Sequence, residues 1–205
     1  MILLLPIFLL LIASLAIFIL INLRPKYGTS WLIAAVAATL TWLTISYLRL
    51  RLPTRLMIHT WGEPSTQLWG EFSLLLDYSS WPYALILITV TLAVILTDAA
   101  RTRYDSTPKS WSASLAICTL GLISILSGTS MMLMATWAIV DLLELIYLLG
   151  NKESSQLSRQ IVISYSIRVA SVLSLMLAAA RNWQLVGTTD LTQIARGAGF
   201  LFLLA

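Results

Sequence analysis

Residues 130–149 read SMMLMATWAIVDLLELIYLL, an apolar run of the length that crosses a bilayer as one helix. Two acids, Asp141 and Glu144, stand well inside it. An ionised carboxylate near the middle of such a helix costs roughly 2.5 to 3.5 kcal/mol on insertion scales. Three residues apart, both side chains fall on one helix face. That face must turn toward protein or water, and the other toward lipid. The run therefore demands a partner element. Two readings fit the pair: a relay for protons or ions, or a buried ion pair that only sets helix packing.

The rest of the chain is of the same kind. Of its 205 residues, 59% are hydrophobic and only 11% charged, with mean hydropathy +0.87. Soluble domains carry roughly 25% charged residues. In lipid every backbone polar group must be satisfied internally, so runs of this length form helices. The expected class is an all-α integral membrane protein. The formal charge of +4 comes mostly from loops, with no Lys/Arg cluster on a polar helix, so nucleic acid is not an expected partner. The single cysteine, Cys118, cannot make an internal disulfide, and no Cys/His set has metal-site spacing. His59 stands alone in a polar connection and reads as solvated. There is no nucleophile with a base and no phosphate loop, so the chain has no evident catalytic site of its own, and no cofactor or metal is expected.

One membrane domain over 1–205 is expected, with six spans at about 1–22, 31–48, 81–98, 111–127, 130–149 and 159–180, and a partial apolar end at 197–205. No basic residue precedes the first run and no clear cleavage site follows it, so it reads as a retained span and not a signal peptide. The connection 49–80 holds Pro53, Gly62, Pro64 and Gly70, with Trp61 and Trp69 between them. Dense turn chemistry between LMIHTW and QLWGEFSLLL predicts a short β-hairpin or extended cap between the second and third spans. Its tryptophans fit an interfacial belt. Gly128–Thr129 is a tight link, which predicts antiparallel neighbours for spans four and five. The end GAGFLFLLA rises about 14 Å as a helix, short of a full crossing. It is expected to pack against another chain or to continue into further sequence.

Alternate loops carry unequal basic charge. Arg24, Lys26, Arg101, Arg103, Lys109, Lys152 and Arg159 fall on one side, and Arg49, Arg51, Arg55 and Arg181 on the other. The positive-inside rule puts the first set inside, and the N-terminus and the 49–80 cap outside.

The sixth run contains Arg168, as costly in lipid as the acids. With a turn over 150–158, Asp141 and Arg168 both lie roughly 14 to 15 Å from it on antiparallel helices, and Glu144 about 9 Å. The three groups are expected to meet, with Asp141 the partner of Arg168 and Glu144 either sharing it or neutral part of the time. Ser164, Tyr165 and Ser166 add hydroxyls one turn away.

On these residues the chain resembles the antiporter-like membrane subunits of respiratory NADH:quinone oxidoreductase and of multisubunit cation/proton antiporters. The resemblance rests on the two-span start with an outward hairpin, on FSLLLDYSSWPYALILITVTLAVIL with Asp77 and Ser79 or Ser80, and on the tight link into a fifth span with a mid-membrane acid after Trp137. SSQLSRQIVISYSIRVASVL is similar to the family's sixth span. The family's glutamate directly follows that tryptophan, whereas Ala138 follows Trp137 here. The family also pairs its acid with a lysine in a seventh span, beyond the last residue of this chain.

The resemblance implies a shortened or split antiporter-like subunit of a proton- or cation-translocating assembly of the NADH:quinone oxidoreductase type. Asp141, Glu144 and Arg168 are then the relay, with Asp77, Trp137 and Tyr165 as support. It implies other integral membrane subunits and lipid as partners, in a bacterial or mitochondrial inner membrane. Two alternatives stay open: a non-conducting structural subunit of a membrane complex, and an independent small transporter.

Overall fold

The structure is a computed structural model and describes residues 2–23, 30–60, 71–100, 108–150 and 155–186. Each long apolar run among them is a helix. After a 3-10 turn at Ile2–Leu4 come α1 (Leu5–Leu23) and α2 (Ser30–Leu48). A second 3-10 turn, Arg49–Arg51, leads into strands β1 (Thr54–Thr60) and β2 (Glu71–Leu76), which pair in a two-stranded sheet. Then follow α3 (Ser80–Ala100), α4 (Pro108–Ile125), α5 (Ser130–Gly150) and α6 (Ser155–Val186). Prolines sit where a helix tolerates them. Pro6, Pro82 and Pro108 all lie in first turns, where an intrahelical N–H partner is missing anyway.

Five of the helices are long and apolar enough to cross a membrane, by length and composition; α4 is a shorter apolar helix over Lys109–Ile125. The all-helical integral membrane fold, with about six helices and a small sheet between α2 and α3, is thus the one expected from the sequence. The hairpin turn with Trp61 and Trp69, and the apolar end 197–205, lie outside the described residues. α6 runs past both ends of the expected 159–180, because no Gly or Pro interrupts the chain from Ser155 to Val186.

By internal contacts the chain divides into two compact units, Met1–Thr54 with Leu76–Leu126, and Arg55–Leu75 with Ser127–Ala205. In the first, α1 packs on α2 and α4, α2 on α3, and α3 on α4. The core is read off each helix at three- and four-residue spacing: Leu10, Ala13 and Ile17; Ala34, Ala38 and Ile45; Ala84, Ile88 and Ile95; Leu115, Cys118 and Leu122. Small residues bring the backbones close, as in membrane bundles generally. Gly121 shows the tightness: a Cβ there would lie 3.0 Å from Leu87 Cδ2.

Hydroxyls and indoles tie the same helices together. Ser14 Oγ donates to Ser112 O (2.9 Å) and Ser112 Oγ to Ser14 O (3.0 Å), a reciprocal α1–α4 clasp. Trp42 Nε1 donates to Thr89 Oγ1 at 3.1 Å, and Trp81 Nε1 to Ile45 O at 2.9 Å. Large apolar side chains such as Phe8, Ile12, Phe18 and Val90 face outward, which lipid accepts and water does not.

In the second unit the strand pair meets the start of α5. Leu74 bridges Ser127, and Gly128 N donates to Ser73 O at 2.8 Å. A side chain at 128 would not fit, since a Cβ would come within 2.5 Å of Ser73 Oγ and 3.1 Å of Ser73 O. Thr129 begins the helix, its Oγ1 accepting from Met132 N at 3.4 Å. From there α5 packs along α6, with Met134, Leu175 and Ala179 buried between them.

Candidate functional site

α5 and α6 bring Asp141, Glu144 and Arg168 together. Asp141 and Glu144 share one face by their three-residue spacing, and Arg168 faces them from α6. Glu144 is the closer partner. Arg168 Nη2 donates to Glu144 Oε1 at 3.2 Å, and Nη1 donates to Glu144 Oε2, a two-pronged hold. Asp141 receives a single contact, Nη1 to Oδ1, at 3.5 Å. Such forked arginine–carboxylate pairs are the stronger kind of ionic hydrogen bond. At 3.5 Å the Asp141 contact stands at the outer edge of hydrogen-bond geometry.

This order of partners reverses the one expected from matched depth, and the length and lean of the side chains account for it. By backbone depth Arg168, about 20 Å along α6 from Ser155, lies nearer the level of Asp141 than of Glu144, so depth does not set the order. Side chains lean toward the N-terminus of their own helix. Arg168 therefore reaches back toward the start of α6, while the acids on the opposing α5 lean the other way. The longer Glu144 side chain meets the guanidinium head-on, and the shorter Asp141 reaches only its flank.

The cluster lies in a furrow along α5 and α6. One recess, about 20 Å³, is lined by Asp141, Glu144, Leu145, Ser164, Tyr165 and Arg168 among others. A cavity needs roughly 10 to 15 Å³ to hold a water, so one water fits. A second recess, about 260 Å³, is lined by Trp137, Val140, Asp141, Arg168 and Ser171. Asp141 and Arg168 line both. Trp137 and Tyr165, expected as supporting residues, thus border the two recesses. Ser166 does not join them: its Oγ donates to Val162 O of its own helix at 2.9 Å. Ser171 was not foreseen. Its position three residues past Arg168, on the same face, was the available signal.

Asp77, the remaining expected support, is engaged in its own turn. Its Oδ1 accepts from Ser79 N (3.1 Å) and Ser80 N (2.6 Å), and Ser79 Oγ donates to both carboxylate oxygens. Burial pushes its carboxyl up, but the hydrogen bonds from Ser80 and Ser79 outweigh this and hold it below the ordinary value. This is a helix-start cap, laid down where α3 begins.

Solved structures give the fold a context. A chain of the membrane-bound sulfane sulfur reductase, an archaeal respiratory membrane complex, superposes with TM-score 0.74 at 17% identity, over 94% of this chain and 29% of that one. A chain of the Mrp complex from Dietzia sp. DQ12-45-1b superposes with TM-score 0.71 at 16% identity, over 97% of this chain and 22% of that one. This chain has the fold of subunits of those membrane complexes. It spans under a third of the length of each chain it matches. No family model matches the sequence. No curated protein matches it either.

Set on that fold, the cluster has a defined chemistry. One guanidinium faces two carboxylates within spans that are otherwise mostly apolar. The three groups sum to one negative charge when all are ionised. Loading one proton on either acid makes the set neutral.

Proposed function

We propose that this chain is a membrane subunit of a proton- or cation-translocating complex, and that the α5–α6 cluster is its relay. The observation that carries the reading is the Asp141–Glu144–Arg168 set, lined by recesses of water-holding size, in two helices of membrane-crossing character. The fold shared with respiratory and Mrp complex chains supports it. In the finer reading the chain is a shortened or split antiporter-like subunit of an NADH:quinone oxidoreductase-type assembly. Its membrane is a bacterial or mitochondrial inner membrane, with the N-terminus and the strand pair on the outer side. The seven-against-four distribution of loop Lys and Arg supports that orientation. Its partners are then other integral membrane subunits and lipid.

The two-pronged Glu144–Arg168 pair supports a second reading, a non-conducting subunit in which the charges only lock α5 to α6. Affinity purification in mild detergent, with identification of what co-purifies, tests the membership common to both. Recovery with other membrane subunits of an ion-translocating complex is expected. A stable monomer free of membrane partners contradicts it. Ion flux, treated at the end of the Discussion, separates the two.

A further inference from the structure

We propose that the two acids divide the work: Glu144 anchors the Arg168 guanidinium, and Asp141 is the carboxylate that exchanges a proton with water in the recess beside Trp137. The inference rests on the relay reading above and goes on to assign its residues. Three observations carry it. The first is the hydrogen bonds. Glu144 takes both prongs of Arg168, whereas Asp141 has one contact at 3.5 Å. With one positive charge for two negative ones, the charge left over falls on the acid held less firmly.

The second is placement. The Asp141 side chain is 16% exposed and that of Glu144 is 32% exposed, so the weakly paired acid is also the more enclosed. An enclosed carboxylate with half a partner is the acid whose charge is least compensated. The third is the route. Asp141 lines both recesses, while Glu144 lines only the smaller. The recess of about 260 Å³ beside Trp137 and Ser171 has room for several waters, and the one of about 20 Å³ beside Tyr165 has room for one. Asp141 stands where the two adjoin.

The step balances simply. A hydronium in the larger recess loses a proton, an O–H bond forms on a carboxylate oxygen of Asp141, and water remains. Release into the smaller recess is the reverse, with the water there as acceptor. Arg168 stays charged and bound to Glu144 throughout. Among the described residues, the titratable or charged groups facing Asp141 are Glu144 on its own helix and Tyr165 and Arg168 on α6.

Infrared difference spectroscopy of the full chain, taken between mildly acidic and mildly alkaline pH in detergent and in deuterated buffer, tests this directly. A carboxylic-acid carbonyl band is expected to rise on acidification. It should be lost in Asp141→Asn, return in Asp141→Glu, and persist in Glu144→Gln. A band lost in Glu144→Gln and kept in Asp141→Asn overturns the assignment, and so does the absence of any titrating band in the wild type. If Glu144→Gln does not fold, Asp141→Asn alone decides, since a band that survives there refutes the proposal. These outcomes are separate from those of the relay reading. A band that belongs to Glu144 leaves a relay in place with its residues exchanged, whereas absent ion flux with a titrating Asp141 removes the relay and leaves the assignment.

Discussion

Removing Arg168 should cost more than removing any other single side chain of α6. Arg168→Leu leaves two carboxylates facing each other in an apolar furrow. Breaking a buried ion pair by deleting one partner costs about 3 to 5 kcal/mol. The Arg168 side chain is 43% exposed, and that exposure lowers the figure to about 2 to 3 kcal/mol. Glu144→Gln should cost nearly as much, because it removes the charge that accepts both prongs. In the double variant Arg168→Leu/Glu144→Gln neither charge is left stranded. The cycle should therefore show a coupling of about 2 kcal/mol, within the range seen for residues in direct contact. The matching cycle with Asp141→Asn should give about 0.5 kcal/mol, in keeping with its single contact at 3.5 Å. Unfolding of the full chain by graded denaturing detergent measures all of these on one scale. Additive losses for Arg168 and Glu144, within about 0.5 kcal/mol, would refute the pairing derived from the structure. A larger coupling to Asp141 than to Glu144 would refute the order of partners.

Gly128→Ala should destabilise the second unit by about 1 to 3 kcal/mol, since its Cβ would collide with Ser73. Adding Ser73→Ala should recover part of the loss, because it removes the nearer clash and a buried hydroxyl with no hydrogen-bond partner among the described residues; unfolding midpoints of the three variants check this. Asp77→Ala should cost about 1 kcal/mol at neutral pH by loss of the α3 cap. Because the folded carboxyl titrates below its ordinary value, that contribution is complete above about pH 4 to 5 and fades as pH falls through the folded value. The gap between wild type and variant, followed by thermal melts, should close toward acid and not toward base. A cysteine placed at the exposed Leu50 should react with an impermeant maleimide from the outer side, while the buried Cys118 stays silent. Labelling of the Leu50→Cys variant only from the inner side would reverse the orientation.

The helices were legible because long apolar runs in lipid leave the backbone few alternatives. The strand pair was legible too, from the turn residues between two apolar flanks, although the tips of its turn signals at Gly62, Pro64 and Gly70 lie outside the described residues. The charged cluster could be placed from depth alone, since Asp141, Glu144 and Arg168 are costly residues on neighbouring helices. What depth could not give was the order of partners. That depends on the length and lean of each side chain, a shift of a turn or less. The two recesses were beyond reach for another reason. They arise where Trp137, Val140 and Ser171 leave space between helices, and volume left between side chains has no sequence pattern. The Ser14–Ser112 clasp was hidden likewise, as two hydroxyls 98 positions apart carry no local signal.

The most direct test of the relay is proton flux in liposomes that carry the chain with its co-purified membrane partners, followed with a pH-sensitive dye. Wild type is compared with Asp141→Asn/Glu144→Gln, in which the fold is preserved as judged by co-purification of the same partners. The account predicts driven proton movement in the wild-type assembly and its fall to background in the double variant. Wild-type flux with both carboxylates neutralised would contradict it and leave the cluster a packing device.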